Sequence, residues 1–234
     1  MYSGLQITPP FFELGPKAYA FGPELLEIAR HADELSERYD VQVILTPQYV
    51  DIPIVAREMR RVLVFAQHMD WIEPGRGVGS VLPEAIKAAG ATGVLLNHVE
   101  RRLSRNDLAR TIRRADDVGL ATIVCADDAG DAATIAGLGP NAIIVEEPLL
   151  IAGGRRGPDG RRAIASANEA IWRVNPGIRV LHGAGITGPG DVYEVVAAGA
   201  QGTGSSSAVF TASDPPAVLE AMIRSVREAW DSTH

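Results

Sequence analysis

The feature that most constrains the fold is an eightfold alternation of short apolar runs with longer segments of helical period. The first apolar run is Pro10–Leu14 and the last and weakest is Gly202–Ser206, while the helix candidates extend from Pro23–Tyr39 to Pro215–Trp230. Strands that alternate with helices form a parallel sheet, and its strands are apolar throughout because both faces are buried. The pattern therefore predicts an α/β protein.

Eight such units with no linker between them favour a closed (β/α)8 barrel, with an open doubly wound sheet as the alternative. A barrel of this kind needs roughly 250 residues, close to the 234 present, so we expect a single domain over residues 1–234. The predicted strands are Pro10–Leu14, Val41–Leu45, Val62–Ala66, Gly93–Leu96, Ala121–Cys125, Ala142–Val145, Ile178–Leu181 and Gly202–Ser206.

Composition narrows the class of protein further. The net charge of −7 argues against a nucleic-acid surface, which needs clustered Lys and Arg. No apolar stretch approaches the roughly 20 residues that span a bilayer, and the N-terminus lacks a signal-peptide pattern. The single cysteine, Cys125, excludes an internal disulfide framework and a metal–thiolate cluster. We therefore expect a cytoplasmic protein that binds neither nucleic acid nor membrane.

Polar side chains collect where the predicted strands end. Lys17 follows the first strand, His98 and Glu100 follow the fourth, and Glu146 and Glu147 follow the sixth. In a barrel the C-terminal ends of the strands meet on one face, and that face carries the chemistry. The distribution therefore predicts a functional site there. Other polar residues at strand ends are Gln67, His68, Asp127, Asp128 and His182.

Five stretches in order carry a resemblance to a known family. They are VFAQHMDWIEPG, LPEAIKAAGATGVLLNHVERR, VGLATIVCADD, LGPNAIIVEEPLLIAGG and VNPGIRVLHGAGI. With them the chain resembles the archaeal-type branch of triosephosphate isomerase over nearly its whole length. The resemblance implies a TIM barrel and an aldose–ketose isomerase of carbohydrate metabolism. Such an enzyme interconverts dihydroxyacetone phosphate and glyceraldehyde 3-phosphate through an enediol(ate).

The resemblance also implies roles for individual residues. Lys17 corresponds to the family's lysine, His98 to its electrophilic histidine and Glu146 to its base, while Glu100 pairs with Lys17. An alignment shifted by one residue would make Glu147 the base instead. A carboxylate to move the proton, an electrophile for the oxyanion and a cation beside the phosphate suffice for this reaction, so we expect no metal and no organic cofactor.

A helical start at Val99–Leu103 is predicted directly after His98. Its dipole would disfavour the imidazolium and keep the ring neutral. Cys125 is expected to pack behind the base, and His68 and His182 are expected to be structural.

Loops rich in glycine and serine after the last two strands predict a phosphate site. Backbone N–H groups of such loops bind an anion without a cluster of basic side chains. Small residues after Glu146 fit a lid that folds over the phosphate. The predicted binding residues are Gly183, Ala184, Gly185, Ser206, Ser207 and Ala208 in the loops, and Ala152 and Gly153 in the lid.

Departures from the family pattern lie close to the expected substrate. Gly15-Pro16-Lys17 replaces the family's Asn-x-Lys, and Val99 replaces a serine. Glycine at position 15 is expected to line the substrate site and to leave an opening of several heavy atoms. A four-carbon ketose phosphate, such as an erythrulose phosphate, is therefore an alternative substrate. The arginine- and glycine-rich segment Arg155–Arg162 has no assigned role.

Two readings from other classes stay open. One is a barrel that binds a phosphorylated metabolite without turning it over, and the other is a metal-dependent barrel. The proposed metal ligands would be His68, Asp127, Asp128 and His182.

The loop Asp70–Gly79 has an apolar tip at Trp71 and Ile72, and in the resembled family this loop docks into a neighbouring subunit. We therefore expect a homodimer or homotetramer.

Overall fold

The computed structural model describes residues 1–147 and 159–234. Its strands form a closed barrel of eight parallel strands in sequence order, as the sequence pattern predicts. The first strand pairs with both the second and the last, so the sheet has no open edge. The strands are β1 Phe11–Leu14, β2 Gln42–Leu45, β3 Leu63–Ala66, β4 Gly93–Leu96, β5 Ala121–Ala126, β6 Ala142–Val145, β7 Arg179–His182 and β8 Gly202–Ser205.

Helices follow the strands and cover the outside of the barrel. A 3-10 turn at Tyr49–Asp51 leads into the second of them. Helices of this length gain most of their stability from packing an apolar face against the sheet. Within the described residues they are α1 Gly22–Tyr39, α2 Ile52–Glu58, α3 Pro83–Ala88, α4 Arg105–Val118, α5 Ala129–Ala136, α6 Gly160–Val174, α7 Pro189–Ala197, α8 Ser207–Phe210 and α9 Pro215–Asp231.

The apolar residues of the strands divide between two cores. Alternate side chains of a strand point to opposite faces, so Phe11 lies inside the barrel and Phe12 packs in the layer under the helices. Ile44, Phe65 and Leu181 fill the inside with Phe11. By the same alternation the third residue of β1, Glu13, belongs to the inner face.

Three of the described helices begin at a residue whose side chain caps them: Ser104 for α4, Asp128 for α5 and Asp214 for α9. The Asp128 side chain accepts a hydrogen bond from the Asp131 N–H at 2.8 Å, which makes Asp128 the N-cap of α5.

The prediction of a helix at Val99–Leu103 is wrong. The chain makes a turn there, closed by the Arg101 N–H on the His98 carbonyl at 2.7 Å, and α4 begins only at Arg105.

No helix in the described part of the chain is both long and apolar enough to cross a membrane.

Candidate active site

A cavity opens at the C-terminal end of the barrel and has two adjoining compartments. The first, of about 370 Å³, lies at the ends of β7 and β8, and the second, of about 250 Å³, lies toward the ends of β2 to β4. The residues that line both compartments are Glu13, Lys17, Glu100, Glu146 and Ser206.

Two residues of the cavity region have left-handed backbone conformations that non-glycine residues rarely adopt. Lys17 has a φ of 47° and Asn97 a φ of 61°. The Lys17 carbonyl accepts hydrogen bonds from Nε2 of Gln48 at 2.6 Å and of Gln67 at 2.9 Å. The Asn97 side chain donates to the Cys125 carbonyl at 3.0 Å. These bonds hold the unfavourable conformations in place, as is common at functional sites.

Lys17 forms an ion pair across the barrel mouth. Its Nζ lies 2.7 Å from Oε1 of Glu100, so the structure brings together the two residues that the resemblance pairs. The hydrogen bond from Lys17 lowers the pKa of Glu100 below its ordinary value. The pair fixes the position of the ammonium group within the cavity.

The His98 ring lies opposite the Glu146 carboxyl, with Nε2 3.8 Å from Oε2. The Glu100 N–H donates to His98 Nδ1 at 3.2 Å, so the proton of the neutral ring belongs on Nε2, on the side of Glu146. Burial lowers the pKa of His98, and the positive charge of Lys17 lowers it further. The ring is therefore kept neutral by burial, not by the helix dipole expected from the sequence.

Glu146 lies just beyond the end of β6, and its N–H donates to the Ala126 carbonyl at 2.9 Å. Burial raises the pKa of its carboxyl to about 7, although Lys17 and a hydrogen bond from the Cys125 thiol act in the opposite direction. A carboxyl with this pKa is suited to take a proton near neutral pH. The neighbouring Glu147 is exposed and lines neither compartment, so the geometry favours Glu146 as the base.

Gly183 gives the Glu146 carboxyl its space. A Cβ atom at Gly183 would lie 2.6 Å from Oε1 of Glu146 and 2.7 Å from Cδ1 of Ile144, closer than real contacts allow. The glycine is therefore needed for the position of the Glu146 carboxyl, in addition to the phosphate role expected from the sequence.

The predicted phosphate loops surround the first compartment. Lys17 is the one cation among its described lining residues. The phosphate would therefore depend mainly on backbone N–H groups and serine hydroxyls. Ala152 and Gly153, the predicted lid residues, lie outside the described part of the chain. The loop residues in the lining are Gly183, Ala184, Gly185, Ser206, Ser207 and Ala208.

Gly15 lines the second compartment, but the opening expected directly beside it is partly filled. A Cβ atom at this position would lie 2.9 Å from the Ser206 hydroxyl oxygen and 3.1 Å from Oε1 of Glu13. The Ser206 hydroxyl also donates to the Gly15 carbonyl. The side chains of Ser206 and Glu13 therefore occupy part of the space that a side chain at position 15 would fill. Glu13 was not among the residues predicted for the site, although it is a lone charge inside an otherwise apolar strand.

Gly15→Asn is expected to destabilise the protein by about 1–3 kcal/mol, the usual cost of overpacking. Backbone strain plays no part, because Gly15 does not have a positive φ. The free energy of unfolding by urea measures the effect. Glu13→Ala in the same chain should recover part of the loss, since it removes one of the two clashing groups and leaves the Ser206 hydroxyl in place. A single Gly15→Asn variant as stable as the unmodified protein would contradict this account.

The residues of the metal-dependent reading are not brought together. His182 bonds to Oδ1 of Asn168 at 2.9 Å, and Asp127 pairs with Arg102. His68 lies against Asp70, with 3.3 Å between Nε2 and Oδ1. Over residues 1–147 and 159–234, no group of three or more His, Cys, Asp and Glu side chains could hold a metal ion.

Part of the arginine-rich segment has a structural role. Arg161 lies in the first turn of α6 and donates from Nε to Glu194 of α7 at 2.8 Å. Residues 148–158 are outside the described part of the chain.

The site combines a carboxylate, a neutral imidazole and an ammonium group at the C-terminal end of a closed barrel. This is the kind of site that an isomerase with a (β/α)8 barrel uses. The sequence model of the triosephosphate isomerase family matches residues 17–137. The triosephosphate isomerase of Sulfurisphaera tokodaii is 36% identical over 228 residues, covering 96% of this chain and 99% of the relative. The chain belongs to the triosephosphate isomerase family.

Other relatives agree with this assignment. The triosephosphate isomerase of Methanobacterium bryantii is 35% identical over 213 residues, which cover 90% of this chain and 94% of the relative. The crystal structure of triosephosphate isomerase from Bartonella henselae matches with a TM-score of 0.73 and covers 95% of this chain and 99% of that one. Its sequence identity is 16%, so this match supports the fold alone.

Proposed function

We propose that this protein interconverts dihydroxyacetone phosphate and glyceraldehyde 3-phosphate. The observation that carries the proposal is the convergence of Glu146, His98 and Lys17 from three separate strand ends on one cavity. The reaction requires a base, an electrophile and a cation, and Glu146, His98 and Lys17 supply one each. The names of the relatives support the same reaction.

Glu146 takes a proton from C1 of dihydroxyacetone phosphate and returns it to C2, so the carbonyl moves by one carbon. The enediolate formed between the two steps carries negative charge on oxygen, and the Nε2–H of His98 stabilises it by hydrogen bonding. A neutral imidazole in this role is the established case in triosephosphate isomerases themselves. Lys17, held by Glu100, supplies positive charge beside the phosphate and the oxyanion.

The phosphate group belongs in the first compartment. Ser206, Ser207 and the glycines of the β7 and β8 loops offer hydroxyl and N–H donors there.

A barrel that only binds a phosphorylated metabolite is a weaker proposal. Such a protein gains nothing from a buried carboxyl beside an anionic ligand, because burial and like charge both cost free energy. Glu146 has this unfavourable environment, and its raised pKa suits a group that exchanges protons near neutral pH.

An isomerase assay with dihydroxyacetone phosphate tests the proposal, with glyceraldehyde 3-phosphate detected by a coupled dehydrogenase. We expect turnover that survives exhaustive treatment with EDTA, because the three side chains need no metal or organic cofactor. Binding of dihydroxyacetone phosphate without turnover would favour the non-catalytic barrel. Activity lost with EDTA and restored by a divalent cation would favour a metal enzyme.

We also propose a cytoplasmic homo-oligomer, a dimer or a tetramer. The loop of residues 70–79 supports it, because Val78 is fully exposed and Trp71 remains 43% exposed although its indole N–H donates to Asp107 of α4. Neighbouring exposed apolar side chains are typical of a subunit contact. Sedimentation equilibrium measures the mass of the assembly, and a monomer would contradict the proposal.

A further inference from the structure

Glu13 is a buried carboxyl of the cavity that the proposed reaction does not use. It lies on the inner face of β1, one layer above Phe11, and is 8% exposed. It lines both compartments and therefore lies on the floor of the site where they join. A carboxyl group at this place can contact a bound substrate directly.

The surroundings of Glu13 leave one of its oxygens without a partner. Thr46 donates to Oε1 at 2.8 Å, whereas Oε2 accepts no hydrogen bond from the described residues. Burial and, to a smaller extent, the charge of Glu146 raise the pKa of this carboxyl to about 7, although the hydrogen bond from Thr46 and the charge of Lys17 act in the opposite direction. Oε2 is not enclosed by protein and lines the cavity, so it can accept a hydrogen bond from a hydroxyl group of a bound ligand.

Small neighbours make room for this carboxyl on both sides. A Cβ atom at Gly204 would lie 2.9 Å from Oε2 of Glu13, and one at Gly15 would lie 3.1 Å from Oε1. The side chain therefore extends across the floor from β8 toward Thr46 at the end of β2. It is built into the site and is not a mobile surface group.

A triose phosphate has no group left for Glu13 to bind. Apart from the phosphate, dihydroxyacetone phosphate carries two oxygens, and both change in the isomerisation. His98 and Lys17 already serve these two oxygens in the proposed mechanism. A further hydroxyl is found only on a longer sugar phosphate.

We propose that the site also isomerises a four-carbon ketose phosphate, erythrulose 1-phosphate, and that Glu13 binds its additional hydroxymethyl group. The inference rests on the proposed function, because it uses the same base and the same phosphate loops. In this substrate the phosphate and the carbonyl keep the spacing of dihydroxyacetone phosphate, and the extra group is on the carbon that loses the proton. The additional hydroxymethyl group is only slightly larger than a water molecule, whose share of the liquid volume is about 30 Å³. The second compartment, of about 250 Å³, therefore has room for it.

The chemistry is the same proton transfer with one more substituent. Glu146 takes the proton from C3, and the electron pair of that C–H bond forms the C2–C3 double bond of the enediolate. The proton then returns to C2, and the carbonyl forms at C3. The product is erythrulose 4-phosphate when numbered from its other end, so atoms and electrons balance without an oxidant or reductant.

The test compares kcat/KM for erythrulose 1-phosphate and dihydroxyacetone phosphate in the full-length protein and in two variants. Glu13→Met keeps the length of the side chain but cannot bond to a hydroxyl, and Glu13→Gln keeps a polar end. We expect the unmodified protein to turn over both substrates. Glu13→Met should lower the four-carbon to three-carbon ratio roughly 10- to 200-fold, the usual range for recognition of one small group, and Glu13→Gln should lower it less.

Because the ratio is measured within one preparation, partial misfolding of a variant does not change it. Turnover of dihydroxyacetone phosphate without any of erythrulose 1-phosphate would overturn this inference and leave the proposed function standing. Equal losses for both substrates in Glu13→Met would overturn the role of Glu13. Turnover of neither substrate by the unmodified protein would overturn the proposed function itself.

Discussion

Glu146→Gln is expected to lower kcat for dihydroxyacetone phosphate by at least about 100-fold, the lower end of what general-base catalysis contributes. Glutamine has the same shape as glutamate, so it fits beside Gly183 and Ile144 as the carboxyl does. It cannot take a proton from carbon, however. KM should change little, because the phosphate loops are untouched. Steady-state kinetics measures both constants.

Glu147→Gln is the matched control, one residue further along the same segment. Glu147 is exposed and lines neither compartment, so its replacement should leave kcat within a factor of about 2, in line with the small effects typical of surface substitutions. If the two variants exchanged effects, the alignment shifted by one residue would be the correct one and Glu147 would be the base.

The second large effect is a loss of activity at acid pH. Glu146 must be ionised to act as the base, and burial raises its pKa to about 7. Below that pH the ionised fraction falls about tenfold for each unit, and kcat/KM reports groups of the free enzyme. We therefore expect kcat/KM to be about 100-fold lower at pH 5 than on the plateau above pH 8. An ordinary carboxyl, with a pKa near 4.5, would leave the activity almost unchanged over this range.

The substrate also titrates, because the second pKa of a phosphate ester is about 6. Inhibition by glycerol 3-phosphate, which has no carbonyl to react, isolates that contribution. Its inhibition constant should change with pH less steeply than kcat/KM does. If both quantities followed one curve, the acid limb would belong to the phosphate and the pKa of Glu146 would not be raised.

The barrel and most of the site could be predicted from sequence because both depend on strand order. Buried parallel strands are apolar over their whole length, and this made β2 and β5 easy to recognise. Closure of the barrel then brings every strand end to one face. The positions of Lys17, His98 and Glu146 beyond three strand ends were therefore enough to predict that they meet.

Local geometry could not be predicted in the same way. Whether Val99–Leu103 continues as a helix depends on the bond that Leu103 N–H makes with the Asn97 side chain, at 3.1 Å, and on the left-handed backbone of Asn97. Whether Gly15 leaves a space depends on Glu13, two residues earlier, and on Ser206, which follows β8. Each outcome also involves a distant partner: the Asn97 side chain donates to the Cys125 carbonyl of β5, and the Ser206 hydroxyl donates to the Gly15 carbonyl. Local sequence patterns do not record such contacts.

The carboxyl on the floor of the site also couples two positions of β1 and the loop after it. Gly204 is required whatever stands at position 13, because a Cβ atom there would lie 2.7 Å from the Glu13 carbonyl oxygen. Gly15, by contrast, is constrained in part by the side chain of Glu13. A larger residue at position 15 and a glutamate at position 13 therefore compete for part of the same space, and we expect the effects of substitutions at the two positions on stability to be non-additive.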